Sequence, residues 1–284
     1  MKLLILLSLF SSAPTAVLGF SPAVAPTLFG VRSSSALAAA APLAEGTLGL
    51  VEGSYKKIFV AGGSKGVGRS VVDRILEEEG EGGAQVVALV RSDEAFAELN
   101  ALEGVVAIQG DAFDYKSIED SMYGCDAVIS TLGGSTDDSD KRVDYTGNSN
   151  VIEAAGILGI TRIVLVTSIG CGSSKEAAPP AVFEVLKDVL AAKEKAENVL
   201  IKYYTNMNWT IVRPGGLKSE PMTGKAVLTE NALALGSIHR QDVANLVVQA
   251  LNSPKTERKV LSAIDPSLPA ASAEAADVEA FALV

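Results

Sequence analysis

The stretch KIFVAGGSKGVGR, residues 57–69, decides the predicted fold of this 284-residue chain. Five residues of strand type, Lys57–Ala61, lead into a glycine-rich turn, and a helical pattern begins directly after it. The spacing is GxxxGxG: Gly62 permits a tight turn, Gly66 lets backbone amides approach a pyrophosphate, and Gly68 lets the helix pack closely on the strand. This order of strand, glycine turn and helix predicts a binding site for the phosphates of a dinucleotide at the helix N-terminus.

Short apolar runs alternate with helical patterns along the rest of the chain, which predicts repeated βα units and a parallel sheet. Strands are predicted at Lys57–Ala61, Gln85–Val90, Val105–Gln109, Ala127–Thr131, Arg162–Thr167 and Trp209–Val212. A long amphipathic stretch runs from residue 181 to about residue 204. We therefore predict an α/β protein with a Rossmann-type doubly wound parallel sheet. We expect a single domain over residues 55–265, followed by a loosely ordered tail over residues 266–284.

The composition supports this fold class and excludes several functions. Hydrophobic residues make up 48% of the chain, enough for a sizeable core. There are 24 basic and 34 acidic residues, giving a formal charge of −10, and Lys and Arg do not cluster, so no nucleic acid is expected as a partner. Cys125 and Cys171 lack metal-ligand spacing and His239 is the single histidine, so we expect neither a metal site nor a disulfide framework.

The first 50 residues have the composition of a targeting sequence. Residues 1–19 combine a basic start, a short apolar run and small residues, which is typical of a secretory signal peptide. Residues 20–50 are predicted to be a transit peptide, because no acidic residue precedes Glu45. Together they predict delivery to the plastid (chloroplast) through a bipartite presequence; a secreted or membrane-anchored protein is the alternative. We expect no transmembrane segment in the mature chain.

The end of the second predicted strand indicates which dinucleotide binds. NAD-specific domains usually place an acidic residue there for the ribose 2′-hydroxyl, but this chain has Arg91, which suits a 2′-phosphate. Lys65 adds a second cation from the glycine loop. These residues predict NADP(H), with NAD(H) the less favoured cofactor, although Arg91 is also consistent with a solvated surface charge. Asp111, after the third strand, is placed to bracket the adenine.

Several segments resemble those of one protein family. In chain order they are the glycine loop, Val90-Arg91, Gly110-Asp111, VDYTGN at residues 143–148, VTS at 166–168, TIVRPGGL at 210–217 and SIHRQDVA at 237–244. Over residues 56–265 the chain resembles the atypical short-chain dehydrogenase/reductase family. The resemblance is to the NAD(P)H-binding branch that includes NmrA-like regulators and a dehydrogenase-like subunit associated with plastid protein import.

The resemblance also implies roles for individual residues. It places Ser168 at the catalytic serine position, Lys193 at the position of the lysine that holds the nicotinamide ribose, and Pro214-Gly215 beside the nicotinamide. The candidate catalytic residues are thus Ser168 and Lys193, and no metal ligand is expected. The candidate cofactor-binding residues are Gly62, Ser64, Lys65, Gly66, Val67, Gly68, Arg91, Asp111, Ala112, Thr131, Leu132, Gly133, Thr167, Lys193, Pro214 and Gly215.

The chain departs from the family at the catalytic tyrosine. Active members use Tyr-x-x-x-Lys, but the residue four before Lys193 is Val189, and none of the six tyrosines has a Lys four positions later. One interpretation is an NADP(H)-dependent oxidoreductase on a small or lipophilic plastid metabolite, with the proton from Ser168, water or the substrate. The other is a non-catalytic redox sensor or a scaffold for a plastid protein partner; epimerase chemistry is a distant third.

Three of these residues have alternative interpretations. Lys193 is also consistent with an exposed i,i+4 pair with Glu197. Ser168 could satisfy backbone groups at a strand end. Cys171 could be a thiol sensor in the site, although packing is favoured. The substrate pocket is expected between the loop after Ser168, residues 214–223 and residues 228–239.

Overall fold

The computed structural model describes residues 55–79, 83–134, 142–269 and 278–283. The predicted signal and transit peptides, residues 1–19 and 20–50, lie outside the described residues. The strands are β1 (Lys57–Ala61), β2 (Gln85–Val90), β3 (Val105–Gln109), β4 (Ala127–Ser130), β5 (Arg162–Val166), β6 (Asn208–Pro214), β7 (Gly216–Lys218), β8 (Val227–Thr229), β9 (Ser237–His239) and β10 (Lys259–Ile264). The helices are α1 (Gly66–Glu79), α2 (Asp93–Asn100), α3 (Tyr115–Met122), α4 (Asn148–Ile157), α5 (Pro180–Tyr203) and α6 (Arg240–Asn252).

The main sheet confirms the predicted doubly wound α/β fold. Its strand order is β3-β2-β1-β4-β5-β6-β10-β8, and the described strands pair in parallel except β8, which is antiparallel to β10. The winding direction reverses between β1 and β4, so this is the point at which ligands bind in such sheets. A separate parallel pair joins β7 to β9.

Helices cover both faces of the sheet because the central strands are buried on both sides. On one face α1 and α6 pack through Val71, Ile75 and Val247. On the other face α3, α4 and α5 pack through residues such as Ile152 and Leu200. The described residues between 55 and 283 belong to one compact unit.

The strand bounds differ from the prediction mainly in the second half of the chain. Strands β4 and β5 each end one residue earlier than predicted, at Ser130 and Val166, and β6 extends to Pro214. Strands β7, β8 and β9 have three residues each, too short for a periodic pattern, and the run of β10 is interrupted by the buried polar Ser262.

The end of the chain is held more firmly than the predicted loose tail implies. The Phe281 amide donates to the Leu228 carbonyl oxygen at 2.7 Å, and the Ser253 hydroxyl donates to the Leu283 carbonyl oxygen at 2.7 Å. Phe281 and Leu283 also pack against the core. Residues 278–283 are therefore anchored by hydrogen bonds and by partly buried apolar side chains, which the alanine-rich sequence did not indicate. No described helix combines the length and apolar character needed to span a membrane.

Candidate functional site

The glycine loop lies at the switch point, beyond the carboxyl ends of β1 and β4. Gly62 has φ of +85° and Gly66 has φ of +60°, a region that L side chains rarely adopt. A Cβ at Gly68 would lie 2.1 Å from the Gly62 carbonyl oxygen, so helix α1 approaches the strand too closely for any side chain there. Among the described residues, a Cβ at Gly66 would meet only Arg240, whose Nε lies 3.9 Å away. The loop backbone is therefore open toward the cleft at this point.

A small pocket of about 110 Å³ adjoins one side of the loop. Its lining brings together nine of the predicted cofactor residues: Gly62, Ser64, Lys65, Arg91, Asp111, Ala112, Thr131, Leu132 and Gly133. Arg91 and Lys65 thus line one pocket. Asp111 is the sole carboxylate among the lining residues, and its Oδ1 accepts a hydrogen bond of 3.0 Å from the Phe113 amide.

A larger cavity of about 890 Å³ opens on the other side of the loop. Its lining contains seven of the eight remaining predicted residues: Gly66, Val67, Gly68, Thr167, Ser168, Lys193 and Pro214. Lys65, Thr131 and Gly133 line both cavities, so the two spaces are adjacent parts of one cleft. This arrangement matches a dinucleotide with one nucleoside on each side of the glycine loop.

One predicted residue and part of the predicted pocket lie elsewhere. Gly215 lines neither cavity; a Cβ on it would lie 2.2 Å from the Gly236 carbonyl oxygen, so this glycine serves close backbone packing. Residues 228–239 and the loop that follows Ser168 also do not line the large cavity. Its outer wall is formed instead by Leu186 and Val189 of α5, together with Leu217.

Lys193 forms an ion pair inside the cleft, not on the surface. Its Nζ lies 3.1 Å from Oδ1 of Asp144 and donates to the Leu132 carbonyl oxygen at 3.4 Å. The Asp144 side chain is fully buried and that of Lys193 is 12% exposed. The alternative of an exposed pair with Glu197 is therefore wrong.

Glu197 instead belongs to a buried network behind the cleft. Its carboxylate receives two hydrogen bonds from Arg213, at 3.0 Å from Nε and 2.7 Å from Nη2, and a third of 2.6 Å from the Thr167 hydroxyl. Arg213 also donates to the Ser173 hydroxyl at 2.8 Å. This network connects β6, α5 and the segment after β5, and so fixes the position of Thr167 at the cleft wall.

Ser168 and Cys171 differ in their access to the cleft. Ser168 lines the large cavity, and its hydroxyl donates to the Ile169 carbonyl oxygen at 2.9 Å. Cys171 is fully buried, with its thiol 3.6 Å from the Leu190 carbonyl oxygen. Burial, with the nearby Glu197 carboxylate, raises the pKa of the Cys171 thiol to about 12. Cys171 therefore packs in the core, and a thiol-sensor role does not fit.

His239 packs in a polar cluster at the start of α6. Its Nδ1 lies 3.5 Å from Oδ2 of Asp242, and Asp265 lies beside both. The two carboxylates accept hydrogen bonds from the Thr223 and Gly224 amides, the Thr223 hydroxyl and Ser267. These hydrogen bonds hold the segment around Thr223 against the domain.

Sequence reasoning missed several residues of the cleft. Arg142, Asp144, Leu186 and Arg240 line the large cavity, whereas Leu217 lies in the predicted pocket segment 214–223. Asp144 and Arg240 belong to segments that were recognised as family-like, but no role was assigned to either. Leu186 lies seven residues before Lys193 and on the same helical face, a spacing that the sequence does contain.

The fold and the cleft together define a dinucleotide-binding protein. A family model described as NAD(P)H-binding matches residues 62–254. The chain belongs to this NAD(P)H-binding family, within the atypical short-chain dehydrogenases/reductases. Its fold is similar to that of oxidoreductases.

Three similar proteins span most of this domain. A Bacillus subtilis (strain 168) protein named "Uncharacterized sugar epimerase YhfK" is 31% identical over 76% of this chain and 98% of its own length. "Uncharacterized protein At2g34460, chloroplastic" of Arabidopsis thaliana is 33% identical over 74% of this chain and 76% of its own. The solved structure of "ChuY: An Anaerobillin Reductase" from Escherichia coli O157:H7 is 31% identical, with a TM-score of 0.67 over 76% of this chain and all of that one.

Longer chloroplastic proteins also match. Protein TIC 62 of Pisum sativum is 28% identical over 69% of this chain. The match covers 40% of the length of that protein.

Proposed function

We propose that this chain is an NADP(H)-dependent oxidoreductase that acts on a small or lipophilic plastid metabolite. The observation that carries the proposal is the continuous cleft, with two cations around the small pocket and an apolar wall on the large cavity. A bound nicotinamide supplies the hydride in this chemistry. Val166, Leu186 and Val189 provide apolar surface for a substrate and exclude water, and the Lys193 ammonium lines the same cavity.

The preference for NADP(H) rests on the charges of the small pocket. Arg91 and Lys65 both line it, and its single carboxylate, Asp111, already accepts a hydrogen bond from backbone. Arg is suited to phosphate because its planar guanidinium makes paired charge-assisted hydrogen bonds. Among the described lining residues, the two cations thus outnumber the one carboxylate.

Two similarities support the reductase and plastid parts of the proposal. The similar Escherichia coli structure is named as an anaerobilin reductase, so a member of this fold at comparable identity carries out a reduction. Several of the curated relatives are named chloroplastic, which agrees with the composition of residues 1–50.

Turnover assays on the purified protein test this function. NADPH oxidation should be measured against quinones, aldehydes and linear tetrapyrroles including anaerobilin. We expect at least one class to be reduced, and Ser168→Ala to lower turnover by about 10² with NADPH affinity nearly intact if Ser168 delivers the proton. No turnover across the panel would contradict the proposal.

A non-catalytic NADP(H) sensor or plastid assembly protein is the second candidate, and Val189 favours it because no tyrosine is among the described residues that line the large cavity. A sensor has two conformational states. NADPH and NADP⁺ must then differ in their preference for one state over the other. Absent turnover together with partner binding that depends on the cofactor's redox state would establish this alternative.

A further inference from the structure

A buried carboxylate in the large cavity has few hydrogen-bond donors around it. Both oxygens of Asp144 are shielded from solvent; Oδ1 has the Lys193 ammonium 3.1 Å away, and Oδ2 has no hydrogen-bond partner in the described ranges. An unsatisfied buried polar atom is costly, and more so when it is charged. Asp144 nevertheless lines the cavity. A ligand that brings hydroxyl donors would therefore complete its hydrogen bonds.

The backbone that carries Asp144 is rigidly held in this position. Residues Val143–Gly147 form one turn of π-helix, a form that occurs mainly as single turns and often at functional sites. Asn148 donates to the Asp144 carbonyl oxygen at 2.9 Å and to the Leu132 carbonyl oxygen at 3.2 Å, and it accepts from the Ser130 hydroxyl at 2.6 Å. These bonds tie the π-turn to the end of β4.

The neighbouring backbone leaves space for this pair. A Cβ at Gly133 would lie 2.8 Å from Lys193 Nζ and 3.1 Å from Asp144 Oδ1. Gly133 lines both cavities, so the pair lies where the small pocket joins the large one. A carboxylate accepts hydrogen bonds and an ammonium donates them, so together they suit two adjacent hydroxyl groups.

We propose that Asp144 is a cofactor-binding residue that accepts a hydrogen bond from a hydroxyl of the nicotinamide ribose, while Lys193 donates to the adjacent hydroxyl. The family resemblance assigns the ribose to Lys193; the acceptor role of Asp144 is new. The proposal rests on dinucleotide binding and does not require that the protein be a catalyst. With Val189 in place of tyrosine, Asp144 supplies a polar contact on this side of the cleft.

Cofactor fragments give the test. Calorimetry should compare NADPH with 2′,5′-ADP, which has the adenosine half and the 2′-phosphate but no nicotinamide ribose. In Asp144→Asn we expect the affinity for NADPH to fall by about 10-fold or more, since a hydrogen bond to a charged group is lost. The affinity for 2′,5′-ADP should stay unchanged. Arg91→Ala is the matched control and should weaken both ligands.

Two results would overturn the proposal. Equal weakening of both ligands in Asp144→Asn would show that the carboxylate acts on the fold, and unchanged NADPH affinity would show that a buried water or the substrate is its partner. If Asp144→Asn fails to fold because Lys193 is left without a counter-charge, the experiment uses a double variant instead. This variant combines Asp144→Asn with Lys193→Met and so removes both charges. That double variant should bind 2′,5′-ADP normally and NADPH weakly. Both readouts are binding constants, so a lack of turnover in the assays above leaves this test unaffected.

Discussion

By the family resemblance, Val189 stands at the tyrosine position of Tyr-x-x-x-Lys, and it lines the large cavity four residues before Lys193. Restoring the hydroxyl should therefore restore an acid beside the ammonium. We expect Val189→Tyr to raise reduction of a carbonyl probe such as 9,10-phenanthrenequinone, by up to about 10² if the geometry is productive. Val189→Phe adds the ring without the hydroxyl and is the control. Equal rates in the two variants would contradict the argument.

The two cysteines should be unreactive in the folded protein. Burial raises the pKa of the Cys171 thiol to about 12 and that of Cys125 to about 11, and the thiolate is the reactive form. We expect Ellman's reagent at pH 8 to detect almost no thiol in the native protein and two in denaturant. Rapid native labelling of Cys171 would reopen its sensor role.

At the scale of the elements, the buried pair of Glu197 and Arg213 connects α5 with β6 behind the cleft. Both side chains are at most 5% exposed, so removal of one leaves an uncompensated buried charge. We expect Glu197→Gln to lower the free energy of unfolding by about 3 to 5 kcal/mol in denaturant titration. The control is Glu184→Gln, which alters an exposed pair with Lys187 on the same helix and should change stability by less than about 0.5 kcal/mol. A small effect at Glu197 would show that the pair is dispensable.

The elements around the glycine loop could be predicted because local rules and burial agree there. The glycine spacing, the β-branched central strands and the long helix α5 all follow from local pattern. The pairing of Lys193 with Asp144 could not be predicted, because 49 positions separate the two residues and only the fold brings them together. The same holds for β7, β8 and β9, whose runs of three residues depend on tertiary contacts for their register.

At the scale of the whole molecule, the polar cluster at Asp265 makes stability depend on pH. Burial acts to raise the pKa of Asp265, but hydrogen bonds from Thr223 and Ser267 outweigh it, so the pKa lies below the ordinary value of 3.8. A lowered folded-state pKa stabilises the protein above the unfolded-state pKa, and this stabilisation is lost as pH falls through the folded-state pKa. We expect Asp265→Asn to be less stable than the unmodified protein at pH 7, with the difference shrinking below about pH 4. A difference that does not change with pH would contradict this account.

The central claim is that the cleft of the whole domain binds NADP(H) through Arg91 and Lys65. Calorimetry with NADPH and NADH on the unmodified protein and on Arg91→Ala tests it most directly. The account predicts tighter binding of NADPH, a loss of about 10- to 150-fold in NADPH affinity in Arg91→Ala, and little change for NADH, because charge-assisted hydrogen bonds to the 2′-phosphate contribute about 1.5 to 3 kcal/mol. Equal affinity of the unmodified protein for the two cofactors would contradict it.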